Sequence, residues 1–179
     1  ALDWKQNLNF LEILFTPFSM INPMYFDQWD RLMEERESIA RMNPWRAVKS
    51  MKGIALEKYH AMEHAYPSKV DVLAKYGYDP KQLHHLVRVD NYLTRYIAGE
   101  SYEDCLISKE PEYLQAVKTG FHNLDDARMI ANWAIGCIDK MCDKYLETCS
   151  TEVDKDVDAL LDDVQYNIMK IAIKKEIGD

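Results

Sequence analysis

The residues best suited to chemistry lie in one segment, between Asp79 and Ile97. At about 100° of rotation per residue in an α-helix, five of its polar side chains fall within a sector of about 80°. They are Lys81, His85, Arg88, Tyr92 and Arg95. Lysine is a flexible point charge, arginine is a planar fork that can grip two phosphate oxygens, and histidine can donate to an oxyanion. The spacing predicts a phosphate-binding helix face, and a solvated charged surface is the alternative.

The start of this helix carries its own signal. Asp79 precedes Pro80, which is the order of an N-cap carboxylate followed by proline at the first helical position. Apolar side chains occupy the side opposite the cations and are predicted to be buried: Leu83, Leu86, Val87, Leu93 and Ile97. We therefore expect Asp79 to cap the helix and to support the phosphate-binding face without contacting the ligand.

Two further patterns resemble metal sites. His60 to His64 matches the H-x-x-E-H pattern of a zinc peptidase family, but such a site needs a third ligand, and the short pattern arises easily by chance. Asp154 to Asp158 resembles a calcium loop or a magnesium-binding D-x-D pair. Ala159 stands where a calcium loop needs glycine, and the segment is predicted to begin a helix rather than follow a strand. We predict no metal site and no catalytic residue.

The elements that position these residues are predicted to be helices. Apolar residues recur at spacings of three and four along most of the chain, and no period-two run is long enough to predict a sheet. Proline and glycine residues interrupt the pattern and mark predicted helix ends. The sequence predicts an all-α bundle of about seven helices, near residues 8–15, 23–39, 44–64, 80–98, 111–120, 124–149 and 157–171.

Composition narrows the class of protein. The chain has 179 residues, 47% of them apolar, which is enough for one sizeable core. Its net charge of −8 argues against wrapping of nucleic acid by the whole surface, although a local basic patch is compatible with it. The four cysteines match no C-x-x-C pattern. Because no apolar run reaches the ~18 residues of a membrane span and no secretory signal is evident, we expect a cytoplasmic protein without membrane contact.

Several segments together resemble a known family. These segments are residues 7–15, Tyr76 to Lys81 followed by His85 to Arg88, and Leu114 to Gly120 followed by a long helix. Together they are similar to predicted nucleotidyltransferases of the DNA polymerase β superfamily, which are common in bacteria and phages. The segment at residues 76–88 is the most specific match, and Leu8 stands where the family usually has proline. The resemblance spans roughly residues 7–147 and corresponds to the family's helical C-terminal portion.

The resemblance also implies what this chain does not do alone. Members of the family begin with a mixed sheet whose Gly-Ser turn and two aspartates bind Mg²⁺ and a nucleoside triphosphate, and this sequence has no such motif. Nucleotidyl transfer needs carboxylates fixed beside the triphosphate. The family therefore implies binding of a nucleotide or of RNA or DNA phosphates, with transfer not expected from this chain by itself. Either the chain is part of a longer or truncated enzyme, or it is the helical half reused as a binding module.

The competing hypothesis is a non-enzymatic interaction protein that docks on a catalytic partner subunit or forms a homo-oligomer. Helices that once covered a sheet would keep an exposed apolar face, for which the candidates are Leu2, Trp4, Leu8 and Phe10. In domain terms, we predict a helical nucleotidyltransferase-like domain over residues 1–149 and a C-terminal helical extension over 150–179 packed on it.

Overall fold

The computed structural model describes residues 8–16 and 20–178, and all regular elements among them are helical. The ten α-helices are α1 (Leu8–Leu14), α2 (Phe26–Glu34), α3 (Arg36–Ala40), α4 (Pro44–Ala61), α5 (Val70–Tyr76), α6 (Pro80–Ile97), α7 (Tyr102–Leu106), α8 (Pro111–Lys118), α9 (Leu124–Thr148) and α10 (Lys155–Ile177). Two 3₁₀ helices, Pro23–Tyr25 and Pro67–Lys69, precede α2 and α5. The predicted all-α class is confirmed.

The described residues form three more α-helices than the sequence predicted, and all three are short. Glu35, with φ −103° and ψ 11°, divides a predicted single helix into α2 and α3. Helix α5 lies where none was predicted, and α7 lies in a stretch that was expected to be irregular. Five to seven residues make at most two helical turns, so an apolar repeat of 3.6 residues has too few members to be recognised.

Hydrogen-bonded caps confirm the predicted helix starts at Asn22 and Asp154. The side chain of Asn22 accepts a hydrogen bond from the backbone N–H of Met24, ahead of the first 3₁₀ helix. Asp154 accepts from two backbone N–H groups at the start of α10, so the acidic segment is a capped helix N-terminus. A short polar side chain at this position satisfies amide groups that have no partner within the helix.

The described residues divide into two compact units, and Trp45–Ser150 form one of them. Helix α6 is central to this unit, because it packs against α7, α8 and α9. Leucines on α6 and alanines on α9 supply much of its core, and the small alanine side chains allow the two helix backbones to approach closely. The fully buried residues of these two helices include Leu83, Leu86, Leu93, Ala127, Ala131 and Ala134.

The second unit combines residues up to Pro44 with residues from Thr151 onward. In this unit, α10 packs against α2 and against the 3₁₀ helix Pro23–Tyr25. Arg31 of α2 pairs with Asp163 of α10 at 2.8 Å, and the backbone N–H of Asp154 donates to the carbonyl of Met42. This unit groups the C-terminal helix with the residues before Trp45. The division into a domain over residues 1–149 and an extension over 150–179 stays a prediction.

None of the helices in the described part of the chain combines the length and the apolarity that crossing a bilayer requires.

Candidate functional site

Asp79 fixes the start of the helix that carries the predicted site. Its carboxylate accepts a hydrogen bond of 3.0 Å from the N–H of Lys81 and pairs with Lys69 at 2.8 Å, while its own N–H donates to the carbonyl of Met62. The side chain is 4% exposed. Burial raises the pKa of this carboxyl, but Lys69 and the Lys81 amide outweigh burial and hold the pKa below its usual value. Asp79 is therefore a cap, as predicted.

Three of the five predicted phosphate-binding residues are accessible. Lys81 and Arg88 are exposed, and His85 is half-buried between them on α6. Among the described residues, Lys81 and Arg88 have no carboxylate within ion-pair distance. Their side chains are thus available to an anion from solution, as the helical spacing predicted.

The prediction of a continuous exposed face is wrong at Tyr92 and Arg95, because both side chains are buried. Arg95 is 7% exposed, and its Nε donates to Glu100 at 2.8 Å while Nη1 donates to the carbonyl of Ile107 at 2.6 Å. The ring of Tyr92 lies 6.0 Å from that of Tyr102. Helix α7 and the residues around it cover the C-terminal half of α6, so helical spacing alone placed these two side chains on the wrong surface.

Two lysines that sequence reasoning missed extend the accessible part of the site. The positive charges of Lys58 on α4 and Lys118 on α8 lower the pKa of the His85 imidazole, as do those of Lys81 and Arg88. Lys118 is exposed, whereas Lys58 also pairs with Glu57 at 2.7 Å. Because the two lysines lie on other helices, no spacing within α6 could have revealed them. We call this group the cationic cluster: Lys58, Lys81, His85, Arg88 and Lys118.

Two histidines have lowered pKa values, and the positive charges of the cluster contribute to both shifts. Burial lowers the pKa of His85, and the positive charges of Lys58, Lys81, Arg88 and Lys118 lower it further. The pKa of the neighbouring His84 is also lowered, first by burial and then by His85, Lys118 and Arg88. Since a positive surrounding disfavours a protonated imidazole, both rings are neutral at pH 7. A neutral His85 can still donate one hydrogen bond to a bound anion.

The cluster offers the groups that phosphate recognition uses. Arg88 can make two parallel hydrogen bonds to phosphate oxygens, and the lysines supply mobile charges around it. The positive groups that affect His85 come from three helices, α4, α6 and α8, rather than from α6 alone. This arrangement can bind and orient an anion.

The H-x-x-E-H pattern does not form a zinc site in the structure. Helix α4 ends at Ala61, so His60 is helical and His64 lies beyond the helix. Glu63 forms an ion pair with Arg128, with a shortest distance of 2.6 Å. Across residues 8–16 and 20–178, His, Cys, Asp and Glu side chains form no group of three or more that could hold a metal ion.

The predicted apolar docking residues lie mostly outside the described part of the chain. This applies to Leu2, Trp4 and the side chain of Leu8. Phe10 is half-buried on α1.

Comparisons of this chain with models of protein families, with curated proteins and with solved structures find no match. The similarity to nucleotidyltransferases of the DNA polymerase β superfamily stays a prediction from the segments described above.

Proposed function

We propose that this protein binds the phosphate groups of a nucleotide or nucleic acid at the cationic cluster. The observation that supports the proposal is that positive side chains on α4, α6 and α8 all lower the pKa of His85. These are the side chains that bind phosphate in proteins, and two of the residues that sequence spacing selected, Lys81 and Arg88, are exposed there without ion-pair partners among the described residues.

The negative charge of the whole chain restricts where on its surface a phosphate-bearing ligand can approach. A net charge of −8 repels polyanions from most of the surface, so a local group of positive side chains is where a phosphate-bearing ligand can approach. Screening limits this effect to roughly 10 Å at ordinary salt concentrations. Binding should therefore depend strongly on salt and should involve few phosphates at a time.

The proposed role is binding, as part of a nucleotidyltransferase-like protein. The resemblance at residues 76–88 covers Lys81, His85 and Arg88, which would place these side chains against the phosphates of a nucleoside triphosphate or an acceptor strand.

Fluorescence anisotropy tests the proposal with two probes, a fluorescein-labelled oligouridylate and a fluorescent ATP analogue. Replacing Lys81 and Arg88 together by alanine should weaken binding at low salt by about tenfold or more, since each lost phosphate contact removes a charged hydrogen bond. The variant R88K should recover part of the loss, because lysine keeps the charge but not the planar fork.

The matched control is Lys144→Ala, which removes an exposed lysine of α9 that does not act on His85. The variant it is compared with is Lys118→Ala, which removes one lysine from the cationic cluster and changes the net charge by the same amount. If Lys144→Ala weakened binding as much as Lys118→Ala, or if the double variant bound both probes like the unaltered protein, the cluster would not be the binding site.

The alternative of a non-enzymatic interaction protein is supported by a different surface. Helix α10 exposes Tyr166, Met169, Ile173 and Ile177 at spacings of three, four and four residues. Apolar side chains repeated in this way form the contact face of paired helices, so we propose self-association of two copies through α10 as the second candidate function.

Size-exclusion chromatography with light scattering tests this second candidate. Self-association predicts a dimer that Ile173→Glu converts to a monomer, whereas Lys175→Glu, an exposed position on the side of the same helix opposite the stripe, leaves it intact. A monomer at all concentrations would remove this candidate and would leave phosphate binding unaffected.

A further inference from the structure

A cavity of about 530 Å³ lies between α6, α8 and α9, within the unit formed by residues 45–150. Its volume falls in the range of small-molecule binding sites. Apolar side chains form most of its wall, including Val87, Met129, Ile130 and Trp133. None of the residues lining it is Lys, Arg or His, in contrast to the cationic cluster on the N-terminal half of α6.

Asp90 brings a negative charge into this apolar wall. Its side chain is half-buried, and its Oδ1 atom is fully buried and accepts no hydrogen bond from residues 8–16 or 20–178. Burial raises the pKa of the carboxyl to about 6, so the carboxylate form still predominates at pH 7. A buried carboxylate oxygen without a donor is costly, because desolvation is not offset by a hydrogen bond. A ligand cation held against this half-buried carboxyl from the cavity side would offset the penalty through its charge.

The other charged residue of the cavity wall has the same sign. Glu110, the residue just before α8, also lines the cavity, so both ionisable carboxyl groups there favour a cation. Asn91 and Thr94 are the remaining polar residues of the wall, and both are neutral. An anionic ligand would meet repulsion without any compensating positive group.

Aromatic side chains stand at the accessible edge of the cavity. Trp133 is 65% exposed and Tyr113 is 37% exposed, although both contribute to the wall. An exposed indole at the edge of a cavity offers apolar surface that a bound ligand can cover. The faces of Trp and Tyr rings also attract cations.

We propose that this cavity binds a small organic cation, a primary ammonium group attached to an apolar or aromatic body. The ammonium nitrogen donates to Asp90, and the apolar body packs against Val87, Ile130 and Trp133. The site is separate from the cationic cluster, and the inference does not depend on the proposed phosphate binding.

Isothermal titration calorimetry with phenethylammonium as the probe tests this inference, and phenethyl alcohol is the neutral comparison. The amine should bind about tenfold or more tightly than the alcohol, because only the amine forms a charged hydrogen bond with the carboxylate. Asp90→Asn should remove this preference by weakening amine binding while leaving alcohol binding nearly unchanged. Trp133→Ala should weaken binding of both compounds.

The matched control is Glu112→Gln, which removes a carboxylate from the exposed first turn of α8 without altering the cavity wall. Circular dichroism establishes that each variant is folded. Equal affinity of the amine and the alcohol, an unchanged amine affinity in Asp90→Asn, a loss in Glu112→Gln as large as in Asp90→Asn, or no heat of binding for the amine at millimolar concentration would each overturn the inference.

Discussion

Arg95 and Glu100 form a two-pronged ion pair in which Nε and Nη2 of the guanidinium lie 2.8 Å and 2.7 Å from Oε2 of the carboxylate. Glu100 also pairs with Lys109 at 3.0 Å. The hydrogen bond from Arg95, followed by that from Lys109, lowers the pKa of Glu100. A residue that sequence spacing assigned to ligand binding thus holds the segment after α6 against the helix.

Replacing Arg95 should therefore reduce stability rather than phosphate binding. Arg95→Ala is expected to lower the thermal midpoint clearly, and Arg95→Lys to lower it less, because lysine cannot donate to Glu100 and to the Ile107 carbonyl in the same planar geometry. Lys109→Ala is the control, since the Lys109 side chain is 64% exposed and its ion pair contributes little. Differential scanning fluorimetry measures the midpoints. A midpoint for Arg95→Ala equal to that of Lys109→Ala would contradict this role.

Gly120 and Gly99 provide a matched pair for testing a close contact. Both have positive φ, +77° and +88°, but a Cβ at Gly120 would overlap the ring of Tyr76, whereas a Cβ at Gly99 would meet open space. Gly99→Ala should cost about 1 kcal/mol from left-handed backbone strain alone. Gly120→Ala should cost roughly 1–3 kcal/mol more, because the ring must move.

Urea unfolding at neutral pH measures the free energies of unfolding of both glycine variants. The prediction fails if Gly120→Ala is no less stable than Gly99→Ala.

Asp79 should contribute stability in two separable ways. Asp79→Ala removes both the cap and the ion pair with Lys69, and the cap alone is worth about 1 kcal/mol. Asp79→Asn keeps a side-chain acceptor for the Lys81 N–H and removes only the charge. The order of stability should be unaltered protein, then Asp79→Asn, then Asp79→Ala.

The pH dependence of the Asp79 contribution follows from its lowered pKa. The stability that the charged carboxylate provides is complete above the unfolded-state pKa of about 3.9 and is lost as pH falls through the lower folded-state pKa. Chemical denaturation at pH 7 and near pH 3 should show the gap between the unaltered protein and Asp79→Asn narrowing at the lower pH. A gap that is independent of pH would show that charge plays no part.

Asp90 should have the opposite effect on stability. Its folded-state pKa is raised to about 6, so its favourable contribution is present below the unfolded-state pKa and is lost as pH rises through 6. Asp90→Asn should be more stable than the unaltered protein at pH 8, by about 1 kcal/mol because solvent screens the half-buried carboxyl, and the difference should vanish near pH 4. Of the other ionisable groups around it, Glu110 lines the same cavity, and Cys142 of α9 stays neutral because burial raises its pKa to about 11.

Urea denaturation from pH 4 to pH 8 measures this difference, and Glu112→Gln is again the control because its carboxylate is exposed. A destabilised Asp90→Asn at pH 8 would mean that the carboxylate has a favourable partner in the folded protein.

The local features of this fold were predictable from the sequence because they depend on neighbouring residues. The apolar repeat of 3.6 residues predicted an all-α protein, and Asn22-Pro23 and Asp79-Pro80 marked helix starts that the structure confirms. The positions of Lys81, His85 and Arg88 on one accessible side of α6 also followed from spacing within a single helix.

Contacts between distant segments were decided only by the tertiary structure. Helix α7 covers Tyr92, and Glu100 and Ile107 engage Arg95, so the predicted five-residue face is reduced to its N-terminal part. Lys58 and Lys118 join that part from other helices, and the Asp90 cavity exists because α8 and α9 meet α6 there. The physical reason is that burial and electrostatic surroundings depend on which helices pack together, whereas helical periodicity reports only which residues share a face.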